Sequence, residues 1–246
     1  QLNKEKQNDK SPIESFAGIG NPILSGKNNV LIRGAVLAEE GMRGNLSRSL
    51  SSLAPLPETE DELRAISQMF QKSDLFLGVD ATEANIRSLD LSQYDVISFA
   101  THALVSNEID NLFEPALVLT PVDENISAND GLLSAKEVSK LNLDAEIVVL
   151  SACNTASSID ESNSEGLTGL ANSFFSAGAK SLLVSYWSVI SESAVDVTTH
   201  IFKPSNEGRS YAHKHRNAVL DLLQNSKDTY KLHPSYWAPF SVIGVN

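Results

Sequence analysis

Two stretches of the chain run apolar and then stop at residues able to do covalent chemistry. Ile147-Val-Val-Leu150 leads through Ser151 and Ala152 to Cys153, the only cysteine present. Tyr94-Asp-Val-Ile-Ser-Phe-Ala100 leads through Thr101 to His102. A cysteine thiolate is a nucleophile, and a histidine can help ionise it or protonate a departing amine. The backbone N–H groups of Cys153 and of Ala103, the residue after the histidine, can steady an oxyanion as it develops. A lone cysteine is more often a small buried hydrophobe, so the chemistry depends on the fold bringing the two residues together.

The two apolar runs have the unbroken character of strands covered on both faces. If they are parallel, their C-terminal ends share one edge of the sheet, where ligands and chemistry gather in open α/β folds. Adjacent strands lie about 4.8 Å apart, so loops leaving them can bring an imidazole to a thiol. Helical spacing is expected at about 59 to 71, with Thr59 and Glu62 as a capping box, at 82 to 89 with Thr82 as cap, and at 167 to 178 with Gly178 as its stop. Ser134 and Glu137 form a second capping box, and further helices fit about 192 to 203 and 211 to 225. Strands are expected at 74 to 77, 115 to 120, 180 to 187 and 237 to 245. This alternation predicts an α/β fold, a three-layer αβα sandwich with a mainly parallel sheet and right-handed crossovers.

The 246 residues fit one large domain from 15 to 246, preceded by a polar linker or tail at 1 to 14. Lys and Arg total 19 against 31 Asp and Glu, a net charge of −12, which disfavours direct nucleic-acid binding. One cysteine permits no internal disulfide, and no run approaches the roughly eighteen apolar residues of a membrane span, so a cytoplasmic location is expected. The first residue is Gln1 rather than methionine, as expected of part of a longer protein.

Gly18-Ile-Gly20-Asn-Pro22 reads as a turn. It lacks the third glycine of a dinucleotide fingerprint, and no nucleotide, metal or other cofactor is expected. Residues 25 to 53 have no clear assignment, and 154 to 164 reads as a polar loop of lid length. His213 and His215 stand two apart on a helix, a poor metal pair better read as solvated surface, and His200 as ordinary helix content.

The motifs Phe99-Ala-Thr-His102, Glu114-Pro-Ala-Leu-Val-Leu119, Gly131-Leu-Leu-Ser-Ala-Lys-Glu137, Leu150-Ser-Ala-Cys-Asn-Thr155, Glu165-Gly-Leu-Thr-Gly-Leu-Ala171 and His233-Pro-Ser-Tyr-Trp-Ala-Pro-Phe240 resemble the CHAT domain. This is a mostly bacterial caspase-like family, often found C-terminal to TPR helical repeats. The spacing of 51 between His102 and Cys153 agrees with the roughly 50 residues that separate these roles in caspases. The resemblance implies a caspase and gingipain type of fold, His102 and Cys153 as the catalytic dyad of an endopeptidase, and bacterial signalling or immunity as its setting. The expected partners are a protein or peptide substrate and a TPR region or regulatory partner that switches activity on.

Asn154, Glu165, Ser185, Trp187 and Glu192 are the substrate-binding candidates. For Asn154 and Thr155 the alternative is turn formation, for Glu165 complementing a helix N-terminus, and for Trp187 core packing. Three positions depart from the family pattern: Ala103 replaces the usual glycine, Ser191 stands where an acid near the specificity pocket usually falls, and Ser164 replaces a glycine. With no acid at 191 and no arginine in the motifs, neither a basic residue nor aspartate is supported before the scissile bond. An apolar, small or polar residue remains open, as do a non-enzymatic interaction module and a thiol-dependent acyltransferase or esterase.

Overall fold

The computed structural model describes residues 14–24, 32–33, 50, 53–106, 108–109, 112–122, 129–151, 166–187, 189–203 and 210–244. The strands are β1 (Ser15–Pro22), β2 (Ile32–Arg33), β3 (Lys72–Gly78), β4 (Val96–Ala100), β5 (Ala103–Leu104), β6 (Ala116–Val118), β7 (Leu132–Ser134), β8 (Ile147–Leu150), β9 (Ser181–Ser185), β10 (Val189–Ile190) and β11 (Phe240–Gly244). The helices are α1 (Glu58–Ser67), α2 (Glu83–Ser88), α3 (Ala135–Val138), α4 (Gly166–Ala177), α5 (Ser191–Ile201), α6 (Tyr211–Asn225) and α7 (Pro234–Trp237), with short 3-10 turns at Leu91–Gln93 and Thr229–Leu232.

Six strands form the central sheet in the order β11-β9-β8-β4-β1-β3. All neighbours run parallel except β11, which closes the edge antiparallel to β9. Alternate residues of the buried strands feed two cores. Ile97, Phe99, Val148, Leu150, Leu182 and Val184 pack on Phe174 of α4, Ile86 of α2 and Val138 of α3. Val96, Ile147, Val149 and Leu183 pack with Leu63 and Ile66 of α1, Val197 of α5 and Ala218 of α6. Burial on both faces explains the unbroken apolar runs, and each such fully buried side chain contributes about 1.5–3 kcal/mol. A smaller sheet, β5-β6-β7, sits over a third cluster that includes Leu104, Ile109 and Leu112.

The turn expected at Gly18–Pro22 is instead part of β1, a strand flanked by β4 and β3. Its glycines admit close packing: a Cβ on Gly20 would stand 2.6 Å from Leu63 Cδ1 and 2.8 Å from the Ala100 carbonyl. Asp95 fixes the start of β1, its Oδ2 accepting from Glu14 N at 2.9 Å, Ser15 N at 3.0 Å and Ser15 Oγ at 2.7 Å.

The Thr59–Glu62 capping box is also corrected. Helix α1 starts one residue earlier, with Pro57 at its N-cap and no side-chain cap. Thr59 and Glu62 turn inward. Thr59 Oγ1 donates to the Leu56 carbonyl and accepts from Asn21 N, while Glu62 accepts from Thr198 Oγ1 on α5 at 2.8 Å. The caps at Thr82 and the Ser134–Glu137 box form as the sequence predicts. Among the described residues no helix is long and apolar enough to cross a membrane.

Candidate active site

The parallel registers form one continuous row across the sheet. Gly18 pairs with Ser98, Ser98 with Val149, and Val149 with Leu183. His102 follows Ser98 by four residues, Cys153 follows Val149 by four, and Trp187 follows Leu183 by four. β8 keeps its pairing one residue further, with Ser151 N donating to the Phe99 carbonyl at 3.0 Å. Cys153, Asn154, Thr155, Ser164 and Glu165 lie outside the described residues.

His102 is held from several sides. Thr101 Oγ1 donates to the Val118 carbonyl, and Val118 N donates to the His102 carbonyl at 2.9 Å. The imidazole is 1% exposed, and its Nε2 lies 2.8 Å from the Ala54 carbonyl. A carbonyl only accepts, so Nε2 carries the hydrogen and Nδ1 is the basic nitrogen. The Ala54 carbonyl is itself fixed, because buried Leu53 and Leu56 flank it and Pro55 restricts Ala54 to extended conformations. Ala54 escaped the sequence reading because a backbone acceptor leaves no residue-type signal.

Ala103, 3% exposed, pairs with Leu117 at the edge of the small sheet. The hydrogen bond from Val118 N to the His102 carbonyl makes His102–Val118 the hydrogen-bonded pair. The alternation of an antiparallel ladder therefore turns the Ala103 N–H away from β6.

The remaining candidates surround the end of β9. Ser185 is its last residue, fully buried and in register with Phe240. Trp187 is 42% exposed rather than packed in the core. Glu192 lies in the first turn of α5, its Oε1 2.6 Å from Lys231 Nζ and its Oε2 accepting from Tyr230 OH at 2.8 Å. Ser191 is 2% exposed. Lys231 drew no notice in the sequence, since a lysine in a polar stretch shows nothing of its partners. Of the other histidines, His213 is exposed, but His215 is half-buried and burial lowers its pKa, so only the first fits a solvated surface. Among the described residues no group of three or more His, Cys, Asp or Glu side chains is placed to hold a metal ion.

Residues 2–245 match the CHAT domain family. The chain is 28% identical over 224 residues to tetratricopeptide repeat protein 28 of Mus musculus and 29% identical over the same length to that of Homo sapiens, each match covering 77% of the chain. It spans only 9% and 8% of those two relatives. Among solved structures it is similar to gingipain R, an Arg specific cysteine proteinase, with a TM-score of 0.51 and 9% identity over 95% of this chain and 46% of that one. That likeness is one of fold, the caspase-like arrangement of a mainly parallel sheet between helices.

Proposed function

Because the chain belongs to the CHAT domain family, we propose that it is a cysteine endopeptidase acting through His102 and Cys153. The observation that carries this reading is the register pair Ser98–Val149, from which His102 and Cys153 follow at equal sequence distance. In the reaction, His102 Nδ1 takes the thiol proton and Cys153 Sγ attacks the scissile carbonyl carbon. The N–H groups of Ala103 and Cys153 donate to the oxyanion. The C–N bond then breaks, His102 returns the proton to the leaving amine, and a thioester remains. Water activated by His102 hydrolyses the thioester, releasing the acid and restoring the thiol.

Near-complete burial of His102 supports an enzyme that is weak until the segments over it move. A TPR region or another regulatory partner is the proposed trigger, in keeping with the names of the two mammalian relatives. The same burial favours a second reading, a non-enzymatic interaction module built on this fold.

The test is labelling by a thiol-reactive peptide probe. Wild type should label at Cys153, and His102→Ala should label about a hundredfold more slowly or worse. Equal labelling of wild type and Cys153→Ala rejects an activated thiolate. A biological effect that survives both substitutions selects the interaction module.

A further inference from the structure

One edge of the central sheet is β3, which stands last in the strand order and pairs only with β1; among the described residues no other strand lies against it. Lys72 N donates to the Glu14 carbonyl at 3.0 Å, so Lys72, and with it Asp74 and Phe76, turn their backbone groups toward β1. The N–H and C=O groups of Ser73 and Leu75 therefore point outward. Natural sheets blunt such edges with proline or a very short strand. β3 has seven residues and no proline, and Leu75, Phe76 and Leu77 are only half-buried. An edge of this kind recruits another strand.

The two charges on β3 are of opposite sign and two residues apart, so they project from one face. Lys72 Nζ lies 5.2 Å from the Tyr94 ring centroid and donates to Gln93 Oε1, while Asp74 Oδ2 accepts from Tyr94 OH at 2.7 Å. An ammonium has three donors and a carboxylate two acceptor oxygens, so each retains capacity for a second partner.

This pattern is self-complementary. When two copies of β3 meet antiparallel about a two-fold axis beside Ser73, Ser73 faces Ser73, Lys72 of each copy faces Asp74 of the other, and Leu75 faces Gln71. The outward groups of Ser73 and Leu75 fall in hydrogen-bonded pairs. Lys72 and Asp74 fall in the non-hydrogen-bonded pairs, where Cα atoms approach to about 4.5 Å and side chains interact most closely. Moving the axis to Leu75 sets Asp74 against Phe76 and Lys72 against Gly78, and both ion pairs are lost, so the charges select the register. β11, at the opposite edge of the sheet, carries no charged residue and no such code.

We infer that β3 is a homodimerisation edge, through which two copies of this chain pair antiparallel with Lys72 and Asp74 setting the register. The two six-stranded sheets then join into one, and because the copies run in opposite directions their His102-bearing edges lie at opposite ends. The net charge of −12 opposes association at long range but is screened beyond about 8 Å at physiological salt. An edge-to-edge contact is small, so the dimer is weak and concentration-dependent. The inference does not depend on the proposed peptidase chemistry.

Sedimentation velocity over a dilution series, at physiological salt, tests it. Wild type should associate reversibly into dimers. Asp74→Lys or Lys72→Asp alone sets like charges opposite each other twice and should weaken association about tenfold or more. The double variant Lys72→Asp with Asp74→Lys restores the complement and should recover wild-type association to within about threefold. That recovery separates loss of pairing from loss of fold, since the double variant gives up the same Tyr94 contacts as the single ones. Amide exchange at Ser73 and Leu75 should slow as the dimer forms. A monomer at every concentration overturns the inference, as does association that ignores the single reversals, a double variant that fails to recover, or a dimer that leaves the Ser73 and Leu75 amides unprotected.

Discussion

The Nε2 of His102 and the backbone carbonyl of Ala54, 48 positions earlier in the chain, stand 2.8 Å apart and fix which ring nitrogen is basic. The arrangement depends on the conformation that Pro55 imposes on Ala54. Pro55→Gly should therefore slow Cys153 labelling about tenfold, with little change in melting temperature. Unchanged labelling would show that the carbonyl does not orient the imidazole.

Gly20 and Gly78 predict a contrast in stability. A Cβ on Gly20 would meet the Leu63 side chain and the Ala100 backbone, whereas Gly78, at φ +56, has nothing within 4 Å. Gly20→Ala should cost about 2–3 kcal/mol through overpacking, and Gly78→Ala about 1 kcal/mol through its backbone conformation alone. Urea denaturation of both variants checks the order.

Asp95 accepts three hydrogen bonds from Glu14 and Ser15. Asp95→Ala should destabilise the domain by about 1–3 kcal/mol, and amide exchange should speed up first at the start of β1. Acceleration confined to β11 would contradict this anchoring.

Glu108 and Glu83 give stability a pH dependence. Burial pushes each carboxyl up to about 7, against the pull of the Val105 N–H on Glu108 and of the Gly131 N–H and Arg87 on Glu83. The folded chain thus holds these protons more tightly than the unfolded chain. Their stabilising contribution is complete below the unfolded value of 4.5 and is lost as pH rises through about 7. Glu108→Gln keeps an acceptor for Val105 N and removes the titration. The variant should gain about 1 kcal/mol over wild type at pH 8, after allowance for solvent screening, and nothing near pH 5. Thermal melts at the two pH values test the difference.

Much of the fold is legible in the sequence because burial on both faces writes itself as uninterrupted apolar runs, as in Ile147–Leu150 and Leu182–Val184. The separation of 51 between His102 and Cys153 is also the register offset between β4 and β8, since Val96 pairs with Ile147. A sequence distance there encodes a spatial relation. β1 was hidden for the opposite reason: its glycines and Pro22 carry turn propensity, and only the helix packed against them explains why small residues are required. Thr59 misled in a similar way, because a side chain able to cap a helix was used to bind Asn21 across the core instead. The partners of His102 and Glu192 are long-range contacts, to a backbone carbonyl and to a lysine, that no local pattern records.

The staple at Asp95 gives the domain a mechanical character. Chain ahead of Glu14 joins β1 at its N-terminal end, and β1 lies between β3 and β4, paired to both in parallel. Tension applied at Glu14 would load two hydrogen-bonded ladders in shear, the geometry in which a sheet shares force over many bonds at once. One of those ladders runs from Phe16–Val96 to Gly20–Ala100, two residues short of His102. A pull from upstream would thus be carried along the strand that supports the imidazole.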